Sequence, residues 1–130
     1  MKKETYIIGM DGGGTKTHAV ISDSSGKILA EHRGGASNIH LVGDEQLAET
    51  IFSLIEACCK SVGCLPKNIS SVVLGLAGAG RKTEQLNISR SIKKYARTKN
   101  IVLKNVVVES DARVALEGAF NGSAGIILIS

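Results

Sequence analysis

Tryptophan is absent, proline occurs once, and two phenylalanines and two tyrosines complete the aromatic set. So few rings leave little on which to stack nucleobases, and a net charge of +4 is too small to carry a nucleic-acid interface. A lone proline together with 43% apolar residues excludes a disordered chain. No apolar run approaches the ~20 residues of a membrane-spanning helix. Met1-Lys2-Lys3 is basic, but only Tyr6-Ile7-Ile8 follows before Asp11, too short for the apolar region of a secretory signal. Cys58, Cys59 and Cys64 are odd in number and lack C-x-x-C or paired histidine spacing, so neither a disulfide framework nor a zinc site is expected. The expectation is a cytoplasmic protein with buried free thiols, no membrane partner and no nucleic-acid partner.

Glycine is what the chain has in plenty, with 15 in 130 residues. That length suits one domain. Tyr6 to Met10 reads as a short buried strand, and Asp11 to Lys16 as a turn. Thr17 to Asp23 alternates and reads as a second strand, Ser24-Ser25-Gly26 as a turn, and Lys27 to Arg33 as a third strand. The period then changes. Leu47, Ile51, Leu54, Ile55, Cys58 and Val62 share one face of a helix that starts near Asp44 and is stopped by Gly63 and Pro66. Ser71 to Leu76 suits a buried parallel strand. Thr83 to Lys99 forms an amphipathic helix with Ile88, Ile92, Tyr95 and Ala96 inward. Asn105 to Glu109 is another strand, Ser110 to Phe120 a short helix, and Gly125 to Ile129 begins a further strand.

Three meandering strands followed by crossovers predict an α/β fold, a mixed five-stranded sheet with flanking helices. The order is β-β-β-α-β-α-β-α, which resembles the ribonuclease H-like arrangement also found in each half of actin-like proteins and sugar kinases. Residues 1–123 make that lobe, and 124–130 open a second lobe beyond the chain. The last strand leaves an apolar edge that could pair with another chain as a homodimer.

Asp11-Gly12-Gly13-Gly14-Thr15-Lys16-Thr17 carries the most chemistry. Three glycines permit positive φ and let backbone N–H groups approach an oxyanion without Cβ obstruction. Thr15 and Thr17 add hydroxyls, Lys16 a point charge for phosphate, and Asp11 a carboxylate to orient a water of Mg²⁺. The spacing is not that of a P-loop, and a strand follows where a helix should. Gly75 to Gly80 after the fourth strand either lines a cleft or packs closely, and Arg81 beside it is either functional or a surface base. Asp111 is either a first-turn helix charge or a general base that accepts a proton from an attacking hydroxyl. Ser37-Asn38-Ile39-His40 serves a turn or contacts a ligand.

These motifs occur in order: Asp11-Gly-Gly-Gly-Thr-Lys-Thr17, Gly35-Ala-Ser-Asn38, Gly75-Leu-Ala-Gly-Ala-Gly80 and Ser110-Asp111-Ala112. Together the chain resembles the N-terminal half of the N-acetylglucosamine kinase branch of the BadF/BadG/BcrA/BcrD ATPase family, within the actin-like ATPase superfamily. The resemblance spans essentially all of the chain. It implies ATP at the glycine turn, with Thr15 in the first phosphate motif, and Mg²⁺ as cofactor. It further implies an amino sugar as small-molecule substrate, contacted by Asn38, Gly78 and Asp111, and Asp111 as the catalytic base. The family's next element, a Gly-Thr-Gly-Ser phosphate turn, would begin where the chain ends. The 130 residues alone are therefore expected to fold without catalysing. Two other functions stay open: an ATPase that drives a partner, as the family's dehydratase activators do, and a sugar-sensing regulator. The cysteines do not suggest an activator's cluster site, and five residues before Tyr6 leave no room for a regulator's helix-turn-helix.

Overall fold

A computed structural model describes residues 5–37 and 43–110. Strands β1 (Tyr6–Gly12), β2 (Thr17–Asp23) and β3 (Ile28–Gly34) form the expected meander. Helix α1 (Asp44–Val62), one 3-10 turn at Pro66–Asn68, β4 (Ile69–Leu76), α2 (Lys82–Thr98) and β5 (Val106–Glu109) follow. β1 runs two residues further than its apolar pattern indicated. Asp11 and Gly12 were expected in the turn, yet they complete the ladder opposite His18 and Thr17, and opposite Gly75 and Leu76 of β4. Polar and small residues stay in a strand when both neighbours supply backbone partners. The helix expected over Ser110–Phe120 and the strand expected over Gly125–Ile129 lie outside the described residues.

The sheet order is β3-β2-β1-β4-β5. β1 pairs antiparallel with β2, and β2 with β3, whereas β4 joins β1 and β5 in parallel. Two successive right-handed crossovers in one direction place α1 and α2 on the same face. Phe52 of α1 meets Tyr95 of α2 edge-on at 5.5 Å between ring centres. Beneath them, Ile8, Met10, Ala19, Ile21, Val72 and Leu74 form the core with Leu47, Ile51, Ile55, Ile88 and Ile92. Every second residue of each strand therefore points to the opposite face. There the paired positions at the far end of the sheet read Arg33, His18, Asp11, Gly75 and Glu109.

α1 ends where its sequence said it would. Gly63 takes φ +74°, its N–H bonds the Lys60 carbonyl at 3.3 Å, and the N–H of Cys64 bonds the Cys59 carbonyl at 3.0 Å. That pair of bonds closes the helix through a left-handed residue that glycine adopts without a Cβ penalty. The three thiols are free. Burial pushes Cys58 and Cys59 up to about 12, and Cys64 is raised for the same reason. Protonated thiols are poor nucleophiles, so this end of α1 is inert packing. Among the described residues no helix is long and apolar enough to cross a membrane.

Candidate active site

β1, β4 and β5 are parallel, so their carboxyl ends open on one edge of the sheet, which is where ligands of open α/β folds bind. The turn from Gly13 to Lys16 joins β1 to β2 at this edge and is closed by the N–H of Gly13 donating to the Lys16 carbonyl at 3.0 Å. Gly14, Thr15 and Lys16 are exposed. A Cβ added to Gly13 would meet nothing within 4 Å, so this side of the turn is open to a ligand.

Of the two reasons inferred for the glycines, positive φ does not apply. Positive φ occurs at Gly26, Gly63 and Gly78, and at none of Gly12, Gly13 or Gly14. Gly12 is required because of a neighbour. Its added Cβ would lie 1.8 Å from Ser37 Oγ and 2.8 Å from Leu76 Cδ2. The Gly12 carbonyl also accepts from the Ala77 N–H at 2.9 Å, which ties the turn to the end of β4.

Thr17 was expected to offer its hydroxyl to phosphate, and the geometry places that hydroxyl elsewhere. Thr17 is fully buried, 2.7 Å from the Gly35 carbonyl and 2.6 Å from Ser37 Oγ. Its side chain stands behind the turn and holds the loop that follows β3. Ser37 is equally buried, and its N–H donates to the Gly13 carbonyl at 3.1 Å. Nothing local in the sequence marks this contact, because Thr17 and Ser37 are twenty positions apart.

Asp11 is half-buried on the sheet face away from the helices, with Gly75 beside it and His18 on its other side. His18 Nε2 lies 2.8 Å from Glu31 Oε1, an ion pair when the imidazole is protonated. Glu109 lies two strands from Asp11 across Gly75. Strand alternation could have identified His18 and Glu109 as facing this region, although their neighbours become visible only once the strands are paired. A carboxylate at a strand end with no side chain on the next strand suits a hydrated Mg²⁺, a hard cation that keeps several waters and takes one or two protein carboxylates. Among the described residues no three metal-ligating side chains cluster.

After β4, Gly78 turns the chain with φ +91°, Ala79 is buried, and its N–H bonds the Leu76 carbonyl at 3.1 Å. Gly78 is exposed at the same edge as the glycine turn. Arg81 begins α2, where its N–H bonds Glu84 Oε1 at 3.3 Å. Asn38 and Asp111 lie outside the described residues. Their neighbours do not: Ser37 is bonded to the glycine turn, and Ser110 follows β5 at its carboxyl end.

The profile of the BadF/BadG/BcrA/BcrD ATPase family matches residues 8–130. The chain is 34% identical over 125 residues to an N-acetylmuramic acid/N-acetylglucosamine kinase of Clostridium acetobutylicum, covering 96% of this chain and 39% of that protein. It is 31% identical over 137 residues to an N-acetyl-D-glucosamine kinase of Dictyostelium discoideum, covering 99% of this chain and 41% of the relative. The crystal structure of a ROK hexokinase from Thermus thermophilus superposes with a TM-score of 0.65 at 22% identity, over 92% of this chain and 39% of its own. That likeness shows the shared fold. The chain spans about two fifths of the length of the curated relatives it matches.

Proposed function

Because the chain belongs to the BadF/BadG/BcrA/BcrD ATPase family, we propose that it is the first lobe of a cytoplasmic, ATP-dependent kinase for N-acetylglucosamine or a related amino sugar. One observation carries the reading. The exposed glycine turn and the buried Ser37, which immediately precedes Asn38, are bonded to each other at the edge where β1, β4 and β5 end. A phosphate site and a sugar-contacting loop are thereby adjacent.

In this reading the backbone N–H group of Gly14, the Thr15 hydroxyl and the Lys16 ammonium bind the phosphates of ATP, while the Gly13 N–H keeps the turn closed on the Lys16 carbonyl. Charge-assisted donors of this kind are strongest where backbone can approach closely. Asp11 would hold a hydrated Mg²⁺, which neutralises phosphate charge when bound. Asn38 and Gly78 contact the sugar, and Asp111 accepts the proton of the attacking hydroxyl. Residues 1–123 form the lobe and 124–130 open the second one, which supplies the remaining phosphate and adenosine contacts.

Asp111→Asn in the full-length protein tests the base. The amide keeps the side chain's shape but cannot take a proton, so turnover should fall by about 10²–10⁴ with little change in the Michaelis constants. Near-normal sugar phosphorylation by this variant would remove Asp111 from the role. Asn38→Ala should raise the Michaelis constant for the sugar and leave that for ATP nearly unchanged.

A further inference from the structure

We propose that Ser37 is a positioning residue that couples occupancy of the glycine turn to the placement of the sugar loop. The inference rests on the kinase reading and adds a connection between its two binding elements. Ser37 touches both ends of the turn. Its N–H donates to the Gly13 carbonyl at 3.1 Å, and its Oγ occupies the space in which a Gly12 Cβ would stand, 1.8 Å away. At the other end of the turn, Ser37 Oγ and Thr17 Oγ1 are 2.6 Å apart.

The protons can be assigned. The Gly35 carbonyl, 2.7 Å from Thr17 Oγ1, can only accept, so the Thr17 proton goes there and the Ser37 hydroxyl donates to Thr17. Both side chains are fully buried, so water does not compete for these bonds. The result is a closed set of contacts in which Gly12, Gly13 and Thr17 all grip one residue, while Gly14, Thr15 and Lys16 remain free to meet phosphate. A shift of the turn toward a bound phosphate must displace Ser37, and Asn38 is one peptide bond further on. The Gly35 carbonyl held by Thr17 fixes the near side of the same loop, so Gly35 and Ser37 are both tied to the turn.

Hydrogen exchange on the full-length protein, with and without a non-hydrolysable ATP analogue, reads this coupling without requiring turnover. In the wild type the analogue should slow amide exchange across residues 35–43 by about fivefold, the scale of one buried hydrogen bond. Ser37→Ala and Thr17→Val should abolish that response, and Thr17→Ser, which keeps the hydroxyl, should retain it. In kinetics, Thr17→Val should raise the Michaelis constants for ATP and sugar by similar factors, with a smaller change in kcat. Exchange that speeds equally with and without nucleotide in Ser37→Ala, the ratio preserved, would make Ser37 a loop anchor only and overturn the inference. So would a wild-type loop indifferent to a nucleotide that demonstrably binds, and in that case the kinase reading survives. Failure to bind the analogue at all overturns both. Should Ser37→Ala fail to fold, the Thr17 pair decides the question.

Discussion

Two glycine-rich loops leave neighbouring parallel strands at the same edge of the sheet, and they use glycine for different physical reasons. At the end of β1, where the first loop begins, Gly12 has no positive φ, and any side chain would run into Ser37 and Leu76. In the loop after β4, Gly78 takes φ +91°, a conformation that other residues enter only with strain. One glycine answers a crowded neighbour and the other a backbone torsion. A glycine in sequence is therefore evidence of close constraint without saying which kind, and the two kinds respond differently to substitution.

Gly12→Ala should have the largest effect on stability. Ser37 Oγ is short and held by Thr17, so it cannot swing aside cheaply, and overpacking of this sort costs about 3 kcal/mol. The comparison sharpens in a Ser37→Ala background. Removing the hydroxyl frees the space, so the cost of Gly12→Ala measured there by denaturant unfolding should fall by at least half. An undiminished cost would mean that torsion, and not crowding, governs Gly12.

Gly78→Ala comes next, at about 1–2 kcal/mol for forcing an L-residue into the left-handed region. No neighbouring truncation should rescue it, because the strain is in the residue itself. Asn at the same position should cost less than Ala, since its side chain tolerates this torsion. Equal losses for both would count against the torsional account.

Gly13→Ala should have the smallest effect on folding, within about 0.5 kcal/mol, because nothing lies within 4 Å of the added Cβ. Its consequence should appear in binding instead. A methyl group on the open side of the turn obstructs an approaching phosphate, so nucleotide affinity measured by calorimetry should drop severalfold while the unfolding midpoint stays put. A variant that binds nucleotide normally would break the contrast between the crowded and the open sides of this turn.

The helices were legible because burial of a helix face repeats locally. Ile88, Ile92 and Ala96 recur at helical spacing, and those are the residues α2 buries. β2 was legible over its whole length, since alternation is also local. The end of β1 was not, because Asp11 and Gly12 look like turn residues until β2 and β4 lie on both sides of them. The site divides in the same way. Gly14, Thr15 and Lys16 lie exposed in the turn that the motif indicated, with Gly13 half-buried beside them. Thr17 carries the same chemistry on paper but faces inward, because the first residue of β2 points into the junction with the β3 loop.

Sequence alone determined the order of elements from β1 to β5, the stop of α1 at Gly63, the family and the position of the glycine turn. Each depends on residues close together along the chain, whose periodicity and torsional preferences act locally. Only the tertiary structure decided that Ser37 fills the space Gly12 leaves, that Thr17 holds a loop, and that Gly75 stands between Asp11 and Glu109. Those arrangements arise when strands distant in sequence are brought about 5 Å apart by hydrogen bonding, and nothing in the local order of residues encodes which side chains will then meet.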